Sequence, residues 1–206
     1  MDSLEKLLDD MQNEDTRQRL ENMPREQRFR SINRDTAEFI SVLSRISNAK
    51  TLVEIGSSVG YSTIWLGLVA KSLGGHLTTF ETEKWKFDQA EKNIETAGLK
   101  EFVTIHHNDP REHQDLMPSA IDLVFLDAEK ADYVSHFHAF FKKLNPGGII
   151  IADNAVSHFA ELREYIEMVR DHEECNSVIA SSVGKGLEIT YKMRKNELKE
   201  WNILIR

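Results

Sequence analysis

Residues 51–62 read Thr-Leu-Val-Glu-Ile-Gly-Ser-Ser-Val-Gly-Tyr-Ser, and this stretch decides the fold. A short β-branched apolar run ends at Gly56, a Gly-x-x-x-Gly turn follows, and Tyr61 to Ala70 continues as an apolar-rich helix. Strand, glycine turn and helix are therefore expected in that order. Gly56 and Gly60 let the backbone approach a ligand with no Cβ in the way, and the helix start offers free N–H groups to it. The stretch suits a nucleotide-like cofactor or, in the plainer reading, is a turn shaped by packing alone.

Beyond this stretch, short apolar strands alternate with helical patterns, as in a doubly wound α/β sheet. The pattern predicts strands at 51–55, 76–80, 102–106, 121–126 and 148–152, and helices at 60–72, 84–97 and 131–144. Gly74-Gly75, Gly98 and Pro146-Gly147-Gly148 are read as helix stops. A further helix is expected from after residue 155 to about 170. It is followed by strands near 177–183 and 187–193, joined by Gly184-Lys185-Gly186 as a hairpin. The expected fold is thus a mostly parallel seven-stranded sheet with an antiparallel C-terminal hairpin.

Upstream, Leu4, Leu7, Leu8, Met11 and Leu20 lie at roughly helical spacing within 2–22. They describe an amphipathic helix that can serve as a lid, a dimer contact or a mobile arm. Arg25, Arg28, Arg30 and Arg34 follow Pro24 and read by default as a solvated basic face. A second helix is expected over 34–47.

The 206 residues fit one domain: N-terminal helices over 1–48, an α/β core over 49–193 and a tail over 194–206. With 40% hydrophobic and 29% charged residues, the composition is that of a globular chain, and a formal charge of −8 argues against a general hold on nucleic acid. A single cysteine, Cys175, excludes a disulfide framework and a multi-cysteine zinc site, and suits a reducing compartment. Met1 to Asp10 lacks the basic start and apolar core of a signal peptide, and no apolar run approaches membrane-spanning length. A cytoplasmic protein without membrane or nucleic-acid partners is expected.

In doubly wound sheets, ligands bind at the carboxyl ends of the strands. Reading those ends gives Glu54 and Gly56, Glu81, Asp109, Asp127, and Asp153 with Asn154. Glu81 follows the glycine turn by about the spacing of a ribose-binding acid, with Glu83 as a nearby decoy. Positions 56 to 61 read Gly-Ser-Ser-Val-Gly-Tyr, not Gly-x-Gly-x-x-Gly, which argues against NAD and favours a smaller adenosine cofactor whose methionine portion lies over the turn.

Asp127 and Asp153-Asn154 end strands expected to be neighbours. Two carboxylates and an amide oxygen suit a hard cation such as Mg²⁺, whereas the alternative is that the aspartates cap the helices that follow. Lys130, three residues after Asp127, reads as a general base in that company and as a solvated lysine on its own. His106, His107, His113, His136 and His138 lack zinc-pair spacing and read as structural or solvated, while His158 is placed to line a substrate pocket.

These residues resemble the cation-dependent, S-adenosylmethionine-using O-methyltransferases of the catechol and caffeoyl-CoA type, over roughly residues 30–193. The resemblance lies in Val53-Glu-Ile-Gly-Ser-Ser-Val-Gly-Tyr-Ser62, Thr79-Phe-Glu-Thr-Glu83, Asp122-Leu-Val-Phe-Leu-Asp-Ala-Glu-Lys-Ala-Asp-Tyr133, Leu144-Asn-Pro-Gly-Gly148 and Ile151-Ala-Asp-Asn154. It implies a Rossmann-like methyltransferase fold. Glu54, Gly56 and Ser62 would hold the methionine end of the cofactor, Glu81 the ribose, and Ile32 and Asp109 would make further contacts, with Asp127 also touching the cofactor. The resemblance further implies that Asp127, Asp153 and Asn154 ligate the metal and that Lys130 takes the proton of a catechol-like or phenolic hydroxyl.

Two departures bear on the acceptor. Ala155-Val-Ser-His-Phe replaces the longer loop with an aromatic residue and a glycine, and Ser31-Ile-Asn-Arg lacks a proline often found there. A metal-independent methyltransferase and a non-catalytic S-adenosylmethionine-binding module are the alternatives. A homodimer is expected, because the stripe on the N-terminal helix needs a surface to pack on.

Overall fold

The computed structural model describes residues 3–198. Two helices, α1 (Ser3–Leu20) and α2 (Arg34–Ile46), precede the alternating core. Its strands are β1 (Thr51–Ile55), β2 (His76–Phe80), β3 (Val103–His106), β4 (Ile121–Leu126), β5 (Leu144–Asp153), β6 (Cys175–Ala180) and β7 (Leu187–Lys192). Helices α3 (Tyr61–Leu73), α4 (Lys84–Thr96), α5 (Tyr133–Phe140) and α6 (Phe159–Asp171) connect them. The expectation for the tail falls partly on residues 199–206, which lie outside the described residues.

One seven-stranded sheet runs in the order β3-β2-β1-β4-β5-β7-β6. The pairings from β3 to β5 are parallel, and β7 pairs antiparallel with both β5 and β6. Each central strand feeds both faces, as expected of strands covered on both sides. Leu52, Leu123 and Phe125 join the core under α1 to α4, whereas Val53, Ile55, Val124 and Leu126 join the core under α5 and α6. The chain reverses direction across the sheet between β1 and β4. The crevice at their carboxyl ends is where a ligand enters such a fold.

Three boundaries differ from the sequence reading. The helix expected over 131–144 is regular only from Tyr133 to Phe140. Pro146-Gly147-Gly148 does not stop a helix but lies inside β5, because the β4–β5 register shifts between Ile121 and Leu123 and the extra residues are taken up there. β6 ends at Ala180, so the β6–β7 turn covers 181–186 and not three residues alone.

The N-terminal helix is docked on the core, with Leu8 and Met11 buried and Leu4 and Leu7 packed beside them, while Leu20 is exposed. Its polar side chains hold the segment that follows. Gln18 Oε1 accepts the Phe29 N–H at 2.7 Å, Asp15 Oδ1 accepts the Ser31 N–H at 3.1 Å, and Gln12 Nε2 donates to the Ile32 carbonyl at 2.9 Å. Apart from Leu20, the stripe is covered within the chain, and residues 29–32 are held by α1.

Candidate active site

The glycine turn is built as its sequence requires. Gly56 and Gly60 take φ of +96° and +92°, a region open to glycine. The Gly56 N–H donates to the Phe80 carbonyl at 3.0 Å, and Asn93 Nδ2 donates to the Val59 carbonyl at 2.8 Å, so the turn is pinned to β2 and α4. Gly60 is the N-cap of α3, with no side-chain hydrogen bond at that helix start, and the first turn of the helix is buried behind the turn.

Glu81 stands beside the turn at the end of β2. Its carboxylate accepts the backbone N–H groups of Ser58, Thr82 and Glu83, each at 2.8 Å. The carboxylate is thus oriented before any ligand arrives. Glu83 instead takes Lys86 Nζ at 2.9 Å. Asp109 is held by Arg111, with Nη2 at 2.6 Å from Oδ2, and this pairing keeps its carboxyl below the usual carboxylate range.

Across the crevice, Asp127 and Asp153 end the adjacent parallel strands β4 and β5. Neither caps a helix: Asp132 and His158 occupy the N-cap positions of α5 and α6. Lys130 is buried and donates to Asp127 Oδ1 at 2.9 Å, the Ala128 carbonyl at 3.0 Å and Tyr133 Oη at 3.0 Å. Three acceptors match the three hydrogens of an ammonium. The Tyr133 hydroxyl faces the carbonyls of Leu126 and Asp153, at 3.1 and 3.2 Å, and so joins the two strand ends.

Asp153 is buried, and its Oδ1 has no hydrogen-bond partner. Burial first, and then the neighbouring Asp127 charge, push its carboxyl up to about 7. Asn154 follows with φ of +69°, and its amide nitrogen reaches Ser157 Oγ at 3.4 Å, leaving the amide oxygen free. An orphaned carboxylate oxygen beside a second carboxylate is what a hard cation would satisfy, so these residues fit one. Among the described residues, no group of three or more His, Cys, Asp or Glu side chains is able to hold a metal. A cation here would need the Asn154 oxygen and oxygens from outside the chain.

A cavity of about 690 Å³ joins these parts. Ile32, Gly56, Glu81, Asp109, Asp127, Lys130, Asp153, Asn154 and His158 all line it. Glu54 and Ser62 do not line it and stand one layer back. Glu54 is fully buried, with Oε2 accepting from Thr63 and Thr79 at 2.6 and 2.7 Å, and burial pushes its carboxyl up to about 7.

Three parts of the site escaped the sequence reading. His136, read as structural or solvated, is buried on the cavity wall with Nδ1 unpartnered. Tyr133 closes a quoted segment but was given no role there, whereas its hydroxyl meets Lys130 and both strand ends. Arg28 lines the cavity and is not merely part of a solvated face.

Comparison with known proteins accords with this geometry. The model of a family described as O-methyltransferase matches residues 3–181. A catechol O-methyltransferase from Niastella koreensis is 32% identical over 133 residues, which cover 61% of this chain and 58% of that protein. The chain thus spans a little over half the length of that relative. A catechol O-methyltransferase from Mycobacterium tuberculosis is 24% identical over 172 residues, covering 75% of this chain and 76% of its own. Among solved structures, an O-methyltransferase from Bacillus cereus in complex with SAH superposes with a TM-score of 0.75 at 24% identity, covering 93% and 91% of the two chains. No described helix is long and apolar enough to cross a membrane.

Proposed function

The chain belongs to the O-methyltransferase family, and on that premise we propose that it transfers a methyl group from S-adenosylmethionine to a hydroxyl of a small catechol-like molecule, with help from a divalent cation, Mg²⁺ in the first instance. The observation that carries this reading is the convergence of Lys130, Asp127 and the unpartnered Asp153 Oδ1 on one cavity with the glycine turn and Glu81. When bound, the cofactor supplies an electrophilic methyl, and the cation lowers the pKa of an acceptor hydroxyl.

The chain's own residues do the rest. Gly56 and Ser58 admit the methionine end, with Glu54 and Ser62 bracing the turn from behind. Glu81 accepts from the ribose hydroxyls, and Ile32 and Asp109 flank the methionine and adenine ends. Asp127, Asp153 and the Asn154 oxygen hold the cation. Lys130 Nζ is the group that would take the acceptor's hydroxyl proton, and Asp127, Ala128 and Tyr133 supply acceptors for the three hydrogens of its ammonium. Those fixed partners stabilise the charge it gains.

The test is methyl transfer to a panel of catechols with Mg²⁺ and with a chelator. Turnover that requires the cation and is lost in Asp153→Asn, with S-adenosylhomocysteine binding kept, supports the reading; turnover indifferent to chelation refutes the cation's part. We also propose a homodimer through the exposed Val42 and Ile46, one turn apart on α2, to be read by sedimentation.

A further inference from the structure

The segment between α1 and α2 is anchored on both sides of Arg28. Phe29 accepts a hydrogen bond at its carbonyl from the Ser58 hydroxyl and sets its ring 6.4 Å from that of Trp85. Arg25 and Arg30 both reach the Glu129 carboxylate, at 2.9 and 2.6 Å. Arg28 between them lines the cavity, and its Nε is buried without a hydrogen-bond partner. A charged donor in that state needs an explanation, because buried polar groups are ordinarily paired.

The other cations of the cavity supply a contrast. Arg19, Arg25, Arg30, Lys86, Arg111 and Lys130 each have a carboxylate within ion-pair distance. Among the described residues, neither Arg28 nor Lys185 has one. Lys185 sits in the β6–β7 turn, which packs on the start of α2 where Gly184 meets Thr36. Two cations without a carboxylate partner therefore line the cavity, in a chain whose formal charge is −8.

Resting on the proposed transfer reaction, we infer that the acceptor carries an anionic group, and that the Arg28 guanidinium, assisted by Lys185, selects it at the cavity mouth. The guanidinium presents a planar fork suited to a carboxylate, and the unmet Nε is one of its donors. Arg28 acts here as a specificity residue and takes no part in the chemistry at the hydroxyl.

The experiment compares 3,4-dihydroxybenzoate with 3,4-dihydroxybenzamide, which share a shape and differ in charge. For each, kcat/KM is measured with Mg²⁺, and Kd is measured by calorimetry on protein loaded with S-adenosylhomocysteine and Mg²⁺. The acid is expected to be favoured by about tenfold or more in both quantities, as one charge-assisted contact would give. Arg28→Gln brings the ratio close to one, Arg28→Lys keeps a reduced preference, and Lys185→Gln narrows it. Equal handling of acid and amide by the unaltered chain, or a ratio untouched in Arg28→Gln, overturns the inference. So does weaker S-adenosylhomocysteine binding in Arg28→Gln with the ratio preserved, which would assign the residue to the cofactor. If neither compound is methylated but the acid still binds in an Arg28-dependent way, the transfer reading fails for these compounds, and Arg28 stands as an anion-binding residue of the cavity. If neither compound binds, the inference fails.

Discussion

Gly56 lies against the main chain of Asp127, so closely that a Cβ at Gly56 would collide with the Asp127 carbonyl. The two halves of the cavity thus touch at this point, and the position of the turn sets the position of the strand end opposite. Gly56→Ala adds both that collision and a positive φ of 96° for a residue with a side chain. The expected cost is about 2–3 kcal/mol, a fall in Tm of about 5–10 °C. Calorimetric titration should show S-adenosylhomocysteine binding lost below the new Tm, and retained affinity would mean that the turn tolerates movement.

Tyr133 connects the proposed base to both strand ends through a single hydroxyl. Tyr133→Phe removes one of the three acceptors of Lys130 and leaves the ring in place. The expected loss of stability is about 1 kcal/mol, that of one hydrogen bond. Turnover should fall about tenfold, as when a group acting on a developing charge is removed, while KM for the cofactor is unchanged. A rise in KM with kcat preserved would mark Tyr133 as packing only.

What the sequence made legible was whatever recurs at a fixed spacing or sits at a fixed place in a motif. Largely apolar runs at 51–55 and 121–126, each carrying one acid, specify strands buried on both faces, and the glycines at 56 and 60 specify the turn. From these, the strand-end acids follow by position. The contacts of Arg28 and His136 were not legible, because they depend on tertiary approach. The Glu129 partner of Arg30 is 99 residues away in the chain, and Gln18 holds Phe29 by a bond that no periodicity contains. The Pro-Gly-Gly of β5 misled for a related reason: its usual reading as a stop is local, and the register shift that absorbs it belongs to the neighbouring strand.

His136 gives the fold a pH dependence. It is faced by Arg111, Asp109 and Asp132, and burial, with Arg111 adding to it, lowers its pKa from 6.5 to about 4. Above pH 6.5 the imidazole is neutral in both folded and unfolded chains, so it contributes no slope. Below 6.5 the unfolded chain gains a proton that the folded chain refuses until about pH 4, so stability falls as pH falls through that window. The full effect is about 3 kcal/mol. Urea melts at pH 7 and pH 4.5 should show the unaltered chain losing more stability than His136→Gln; parallel losses would place the acid sensitivity elsewhere.

Glu188 is fully buried in β7, and Arg170 of α6 meets it with two hydrogen bonds, at 2.7 and 2.8 Å. Arg170→Ala leaves a carboxylate enclosed with only hydroxyl partners such as Ser177. Removing one member of such a pair costs about 3 kcal/mol. Denaturant melts measure this, and Arg170→Ala combined with Glu188→Gln should recover most of the loss. The pair lies outside the cavity lining, so S-adenosylhomocysteine affinity is expected to stay constant in both variants.

Asp153 offers the cleanest probe of the cation, because its Oδ1 is unpartnered whereas Asp127 already holds Lys130. Two consequences of opposite sign follow from burying that carboxylate beside another. Without metal, Asp153→Asn removes a buried charge and its repulsion from Asp127, so the variant should melt at or above the temperature of the unaltered chain at pH 8. With Mg²⁺ at about a hundredfold over Kd, the unaltered chain should gain about 2.7 kcal/mol, a rise in Tm of roughly 5–10 °C, and Asp153→Asn should gain little. The order of the two melting temperatures is then reversed by metal. An equal rise in both proteins would show that the cation binds without Asp153, and no rise in either would remove the cation from this site.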